Sequence, residues 1–140
     1  MNELREKLET YKFNCQLKKI IKKYRNKKVI LYGTGKLFNE VIKNYNLSNL
    51  NIIAISDKKF RDSNYEIPKQ YRCFRTIPPN EIHLLKPDIV FLTTEISFYV
   101  ERYFCEELFK ETGKKFKYEN IFKLPLFAKI NEEWETPILV

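Results

Sequence analysis

The chain has 140 residues, of which 44% are hydrophobic and 31% charged, a composition typical of a single globular domain. No apolar stretch approaches the ~18 residues of a membrane-spanning helix, and the N-terminus lacks the apolar core of a secretory signal. Its three cysteines form neither a CxxC pair nor a disulfide framework, and no Cys/His set has the spacing of a metal site. We therefore expect a cytoplasmic protein without a metal or a transmembrane segment, with reduced thiols that are buried or partly buried.

The net charge of +8 is concentrated in one segment. Seven basic residues and no acid lie between Lys18 and Lys28. Such a cluster can bind RNA, anionic lipid or an acidic partner, or it can be the solvated face of a helix. We favour the second interpretation and expect no nucleic-acid partner, because no nucleic-acid recognition motif accompanies the cluster.

Residues 1–26 are predicted to form an N-terminal helical arm. Its apolar residues fall on two nearly opposite sides of a 3.6-residue helix. One side comprises Leu4, Leu8, Tyr11 and Cys15, and the other Phe13, Leu17, Ile20, Ile21 and Tyr24. We predict that the helix breaks near Asn14, or that its first half packs on a second copy of the chain or on a partner enzyme.

Residues 27–123 alternate between strand-like and helix-like patterns. The predicted strands are 28–32, 51–56, 72–74, 89–94 and 116–122. Helices are predicted from Lys36, from about 80 to 86 and from 97 to 112, and a long loop over 58–71. Alternation of this kind favours a parallel sheet covered on both faces. We expect a Rossmann-like three-layer α/β/α domain with a short, mostly parallel sheet, and a tail over 124–140, including Trp134, that folds back on it.

The stretch VILYGTGKLFNEVI places two glycines, Gly33 and Gly35, between the first strand and its helix. Glycines there allow a tight turn and a close approach to phosphate, and the helix N-terminus offers free N–H groups to the anion. Asp57, at the end of the next strand, is placed to bind a ribose diol. The third glycine of the usual pattern is replaced by Phe38, which should tilt the helix or push it away from the strand.

The chain resembles the small Rossmann modules of bacterial surface-polysaccharide and nucleotide-sugar proteins, a group of epimerase- or dehydratase-like modules. The resemblance lies in two segments, NKKVILYGTGKLFNEVIKNYN and NIIAISDKKF. The resemblance covers residues 27–60 well and 86–112 more loosely. It implies a small-molecule nucleotide partner, with NAD(P) or a nucleotide sugar as cofactor. It also implies a phosphate loop formed by Gly33, Thr34, Gly35 and Lys36, a ribose contact at Asp57, and a crevice bordered by Thr93 and Thr94.

The catalytic pair of short-chain epimerases is missing from the expected helix. Tyr99 is followed four residues later by Tyr103, where those enzymes have a lysine. The leading hypothesis is therefore a nucleotide-binding module without its own catalytic set. The alternatives are a small NAD(P)-dependent sugar-nucleotide enzyme, and a degenerate scaffold whose basic arm binds a protein or a polyanion.

Overall fold

The computed structural model of the protein describes residues 3–124, and the predicted packing of Trp134 and the tail lies outside this range. Five parallel strands form one sheet in the order β3-β2-β1-β4-β5. The strands are β1 (Val29–Tyr32), β2 (Ile52–Ser56), β3 (Thr76–Ile77), β4 (Ile89–Leu92) and β5 (Tyr118–Asn120). This order and the helices on both faces confirm the predicted Rossmann-like α/β fold.

The two central strands, β1 and β4, carry the core of the sheet. All four residues of each strand are buried, as expected for apolar runs covered on both faces. They pair in register from Val29 with Ile89 to Tyr32 with Leu92. Since the chain order reverses between them, their carboxyl ends form the topological switch point at which α/β proteins bind ligands.

One face of the sheet is covered by α1 (Glu3–Thr10), α2 (Phe13–Lys23) and α3 (Lys36–Asn44). The predicted break of the arm is confirmed, although it lies at Lys12, whose φ of 53° is left-handed. Leu4, Leu8 and Phe13 share one buried cluster with β1 and β4. The apolar side of α1 that we considered for a second copy is thus covered by this chain itself.

The opposite face is covered by a 3-10 helix over Pro79–Leu85 and by one continuous helical stretch. That stretch consists of α4 (Phe98–Arg102), a π-helical segment (Tyr103–Leu108) and α5 (Phe109–Thr112). Their buried side chains form a second cluster with the other side of the sheet. Within the described residues, no helix has the length and apolar character needed to cross a membrane.

Two local predictions are wrong. The third strand is Thr76–Ile77 and not 72–74, because Phe74 closes a turn, donating its N–H to Tyr71, and packs its ring on Phe38. All three cysteines are free but exposed rather than buried. Cys105, for example, lies on the solvent side of a helical stretch whose Phe104 and Leu108 face the core.

Candidate functional site

The loop after β1 begins at Gly33, which only glycine can occupy without strain. Its φ is 104°, and an added Cβ would lie 2.7 Å from Thr94 Cγ2 and 3.3 Å from the Thr93 carbonyl oxygen. The Gly33 N–H donates to the Ser56 carbonyl at 2.8 Å. The first glycine of the predicted phosphate loop therefore holds the ends of β1, β2 and β4 close together.

Thr93 and Thr94 lie at the end of β4, as predicted, but their hydroxyls face the protein. Thr93 is buried, and its Oγ1 lies 2.8 Å from the Tyr32 carbonyl oxygen and also within hydrogen-bond distance of the Gly33 carbonyl oxygen. Thr94 Oγ1 is buried and has no hydrogen-bond partner among the described residues. The Thr93 hydroxyl thus helps to fix the end of β1 and the start of the loop.

Asp57 and Thr34 are bound directly to each other. Oδ2 of Asp57 accepts from the Thr34 N–H at 2.8 Å and from its hydroxyl at 3.0 Å. Oδ1 accepts from the Lys59 N–H at 3.2 Å, beginning a short 3-10 turn. A carboxylate offers about four acceptor positions, so a partly exposed Asp57 keeps room for one further donor. The sequence-predicted ribose contact is therefore also the clamp of the loop.

The Thr34 carbonyl is held by side chains that sequence reasoning did not identify. The Tyr71 hydroxyl lies 3.1 Å from this oxygen and 3.0 Å from Asn39 Oδ1. Asn39 Nδ2 donates to the Gly35 carbonyl at 2.8 Å. Asn39 could have been found from its spacing, because side chains on a helix point back toward its N-terminus. Tyr71 gave no signal, since it comes from the long loop before β3.

Gly35 and Lys36 form the open part of the loop. No described residue accepts a hydrogen bond from either N–H, and no side chain caps α3. A Cβ on Gly35 would meet nothing within 4 Å. Free N–H groups at a helix start carry a partial positive charge and are the typical anion site of this fold.

A cavity of about 620 Å³ adjoins the start of α3, large enough for a small ligand. Its charged lining comprises two ammonium groups and three carboxylates. The lining residues are Glu3, Leu4, Lys7, Lys36, Asn39, Glu40 and Glu95. The lining therefore carries a net charge of −1, so attraction of an anion depends on the backbone amides at the start of α3 and on the Lys36 ammonium.

Phe38, in place of the usual third glycine, is fully buried. Its ring packs edge-on against Tyr71, with centroids 5.2 Å apart, and against Phe74 at 6.1 Å. The ring therefore contacts the connection between β2 and β3. Through Tyr71, which also binds Thr34, this aromatic contact supports the loop.

Two tyrosines near the carboxyl ends of the strands lack the activation of a catalytic phenol. Burial and the charge of Asp57 raise the pKa of Tyr32 well above its usual range. Burial also raises the pKa of Tyr103, although Arg61 donates to its hydroxyl and Lys58 Nζ lies 3.9 Å from its ring centroid. Both phenols are therefore neutral at physiological pH.

Across residues 3–124, no group of His, Cys, Asp and Glu side chains has an arrangement that could hold a metal ion. Comparison of the chain with protein-family models, with curated proteins and with solved structures gave no match.

Proposed function

We propose that this protein is a cytoplasmic nucleotide-binding Rossmann module that binds phosphate at the start of α3. The observation that carries the proposal is the pair of adjacent N–H groups, on Gly35 and Lys36, for which residues 3–124 supply no acceptor, beside open space around the Gly35 Cα. An anion there gains two backbone hydrogen bonds and the favourable end of the helix dipole. The Lys36 ammonium lines the same cavity and can add a charge contact.

The neighbouring Asp57 supports a nucleotide rather than a free phosphate. Its remaining acceptor position suits one hydroxyl of a ribose diol. The clamp to Thr34 holds the carboxylate beside the loop before any ligand arrives, so binding needs little reorganisation of this side chain.

The resemblance to surface-polysaccharide modules leads us to propose a nucleotide or nucleotide sugar of that metabolism as the ligand. We propose binding without catalysis by this chain alone, since it lacks a lysine four residues after Tyr99 and the pKa of Tyr103 is raised. A small NAD(P)-dependent enzyme of the short-chain type would need a tyrosine whose pKa is lowered by a neighbouring lysine, and Tyr103 occupies the position of that lysine.

Calorimetric titration with ADP, UDP, UDP-glucose, NADH and NADPH tests the proposal. At least one nucleotide should bind saturably, and Asp57→Asn should weaken it while keeping an oxygen that can accept from Thr34. Asp62→Asn is the matched control, since Asp62 is exposed and bonds only within its own turn. Flat titrations with every nucleotide would refute the proposal.

A second candidate function rests on a basic groove of about 770 Å³ on the side of α2. Among the described residues, its lining contains three cations, Lys18, Lys22 and Arg25, and no carboxylate. The remaining lining residues are polar or aliphatic: Ile21, Asn26, Ser48, Asn49, Leu50 and Asn51. A polyanion bound there should show a log–log salt slope of about −2 for three contacts. Lys22→Ala should weaken binding of polyphosphate, whereas Lys110→Ala, on the opposite face, should not. Equal effects of the two variants would refute a specific groove.

A further inference from the structure

The direction of a backbone N–H group is fixed by the carbonyl of the same peptide group. A trans peptide is planar, so its C=O and its N–H point in opposite directions. The Thr34 carbonyl and the Gly35 N–H belong to one such group, and the Gly35 carbonyl and the Lys36 N–H belong to the next. Both peptide bonds are trans. Side chains that hold these two carbonyls inside the protein therefore turn the two N–H groups outward.

The Thr34 carbonyl is held chiefly by Tyr71. The Tyr71 hydroxyl lies 3.1 Å from the Thr34 oxygen. The two other side-chain donors to this oxygen, Asn39 Nδ2 and Lys59 Nζ, are more distant, at 3.3 and 3.4 Å. Tyr71 is buried and its ring packs edge-on against Phe38, so water competes little for its hydroxyl. The direction of the Gly35 N–H thus depends mainly on Tyr71.

The Gly35 carbonyl is held by Asn39, which lies one turn into α3. It accepts from the Asn39 N–H at 3.1 Å and from Nδ2 of the same residue at 2.8 Å. Asn39 Oδ1 lies 3.0 Å from the Tyr71 hydroxyl. This hydroxyl has one proton and two neighbouring acceptor oxygens, on Thr34 and Asn39, so it donates to one of them at a time. In either case it fixes one of the two carbonyls, directly or through Asn39.

We infer that Tyr71 is a positioning residue of the proposed phosphate site, whose hydroxyl sets the direction of the Gly35 and Lys36 N–H groups before a ligand binds. The inference rests on the proposed function and adds a means of control to it. Tyr71 ends the 3-10 turn Lys69–Tyr71, within the long connection between β2 and β3. A change in this connection would therefore alter phosphate affinity through the backbone of residues 34–36.

Nitrogen-15 relaxation of the full chain tests this positioning without a ligand. The Gly35 and Lys36 N–H groups should have order parameters of about 0.85, as in rigid backbone. Tyr71→Phe keeps the buried ring and removes the hydroxyl, so it should lower the value for Gly35 toward the ~0.6 of flexible backbone. Tyr65→Phe, in the same connection but with its ring beside Phe60, is the matched control and should leave both values unchanged. An unchanged value for Gly35 in Tyr71→Phe would overturn the inference.

Titration of both variants with inorganic phosphate and with the nucleotides named above measures the effect on binding. Loss of the bond that orients the amides should weaken binding by about three- to tenfold in Tyr71→Phe and leave it unchanged in Tyr65→Phe. Equal affinities of Tyr71→Phe and the unsubstituted protein would contradict the inference. If the unsubstituted protein bound none of these nucleotides, the proposed function would be wrong, whereas the relaxation measurement would still decide whether Tyr71 orients the amides.

Discussion

Replacing Gly35 by aspartate should separate phosphate binding from folding. Gly35 is the N-cap of α3, where Asp is among the preferred residues and glycine is only tolerated. Its φ of −88° is accessible to any residue, and apart from its chain neighbours no described residue has an atom within 4 Å of the added Cβ. The new carboxylate can accept from the free N–H groups of the first turn, so it occupies the position proposed for the ligand phosphate.

The Gly35→Asp substitution should stabilise the fold but weaken nucleotide binding. A cap and a favourable dipole contact should raise the free energy of unfolding by about 0.5 kcal/mol. A carboxylate about 4 Å from a phosphate charge repels it by about 1 kcal/mol in water and about 4 kcal/mol at a partly screened protein surface. At about 1.4 kcal/mol per tenfold, nucleotide affinity should fall by about fivefold to several hundredfold.

Denaturant unfolding and calorimetric titration of the same samples measure both effects. Gly35→Asn is the matched control, because it supplies a capping oxygen of similar shape without the charge, and it should weaken binding less. An aspartate variant that is stabilised and yet binds nucleotide like the unsubstituted protein would show that the anion does not lie at the start of α3.

Three further predictions concern the loop at Gly33, its aromatic support at Phe38, and the contact between Tyr24 and Glu119 of β5. Gly33→Ala should lower the free energy of unfolding by about 2 kcal/mol, because the φ of Gly33 is positive and the Thr94 methyl is close. Adding Thr94→Ser, which removes that methyl, should restore part of the loss in thermal melts. No recovery would mean that the contact is unimportant. Phe38→Ala should cost about 3 to 5 kcal/mol in denaturant unfolding, and a loss below 1 kcal/mol would contradict its role in the core. Burial alone would raise the pKa of Glu119, but the hydrogen bond from the Tyr24 hydroxyl helps to hold it below the usual 4.5. The ionised form of Glu119 is thus favoured in the folded state, so this stabilisation is present above pH 4.5 and lost as the pH falls through the lowered pKa. Tyr24→Phe should lower the free energy of unfolding by about 1 to 2 kcal/mol at pH 7 and make stability less dependent on pH in the acid range. An unchanged dependence of stability on pH would refute the role of the Tyr24 hydrogen bond.

Elements with a strong local signal were predictable from the sequence. The apolar runs that form β1 and β4 are buried on both faces, so each run stands out among polar neighbours. The two residues of β3 have no such signal, because a strand of that length shows no alternation and is defined by its pairing with Ile55 and Ser56. Phe74 was wrongly predicted to be a strand residue, because an apolar residue in a sequence does not show whether it packs against a helix or lies in a sheet.

The site was predictable in its positions but not in its contacts. Gly33, Gly35 and Asp57 lie together at the carboxyl ends of β1 and β2, as the βαβ pattern indicated. That Asp57 binds the Thr34 N–H, and that Tyr71 contacts the carbonyl of the same residue, depends on side-chain packing across distant parts of the chain. The packing of α1 on the core likewise depends on a left-handed Lys12, which residue type does not predict.

The proposed ribose contact shares the Asp57 carboxylate with Thr34, which limits how ligand preference can change at this position. In dinucleotide-binding domains an acid at this position binds the ribose of NAD and a nearby arginine accommodates the 2′-phosphate of NADP, so an acid-to-arginine exchange shifts the preference. Here the same exchange would release Thr34 and loosen the turn that presents the amides. To bind a ribose 2′-phosphate, the protein would therefore first need another hydrogen-bond acceptor for Thr34, and only then a substitution at residue 57.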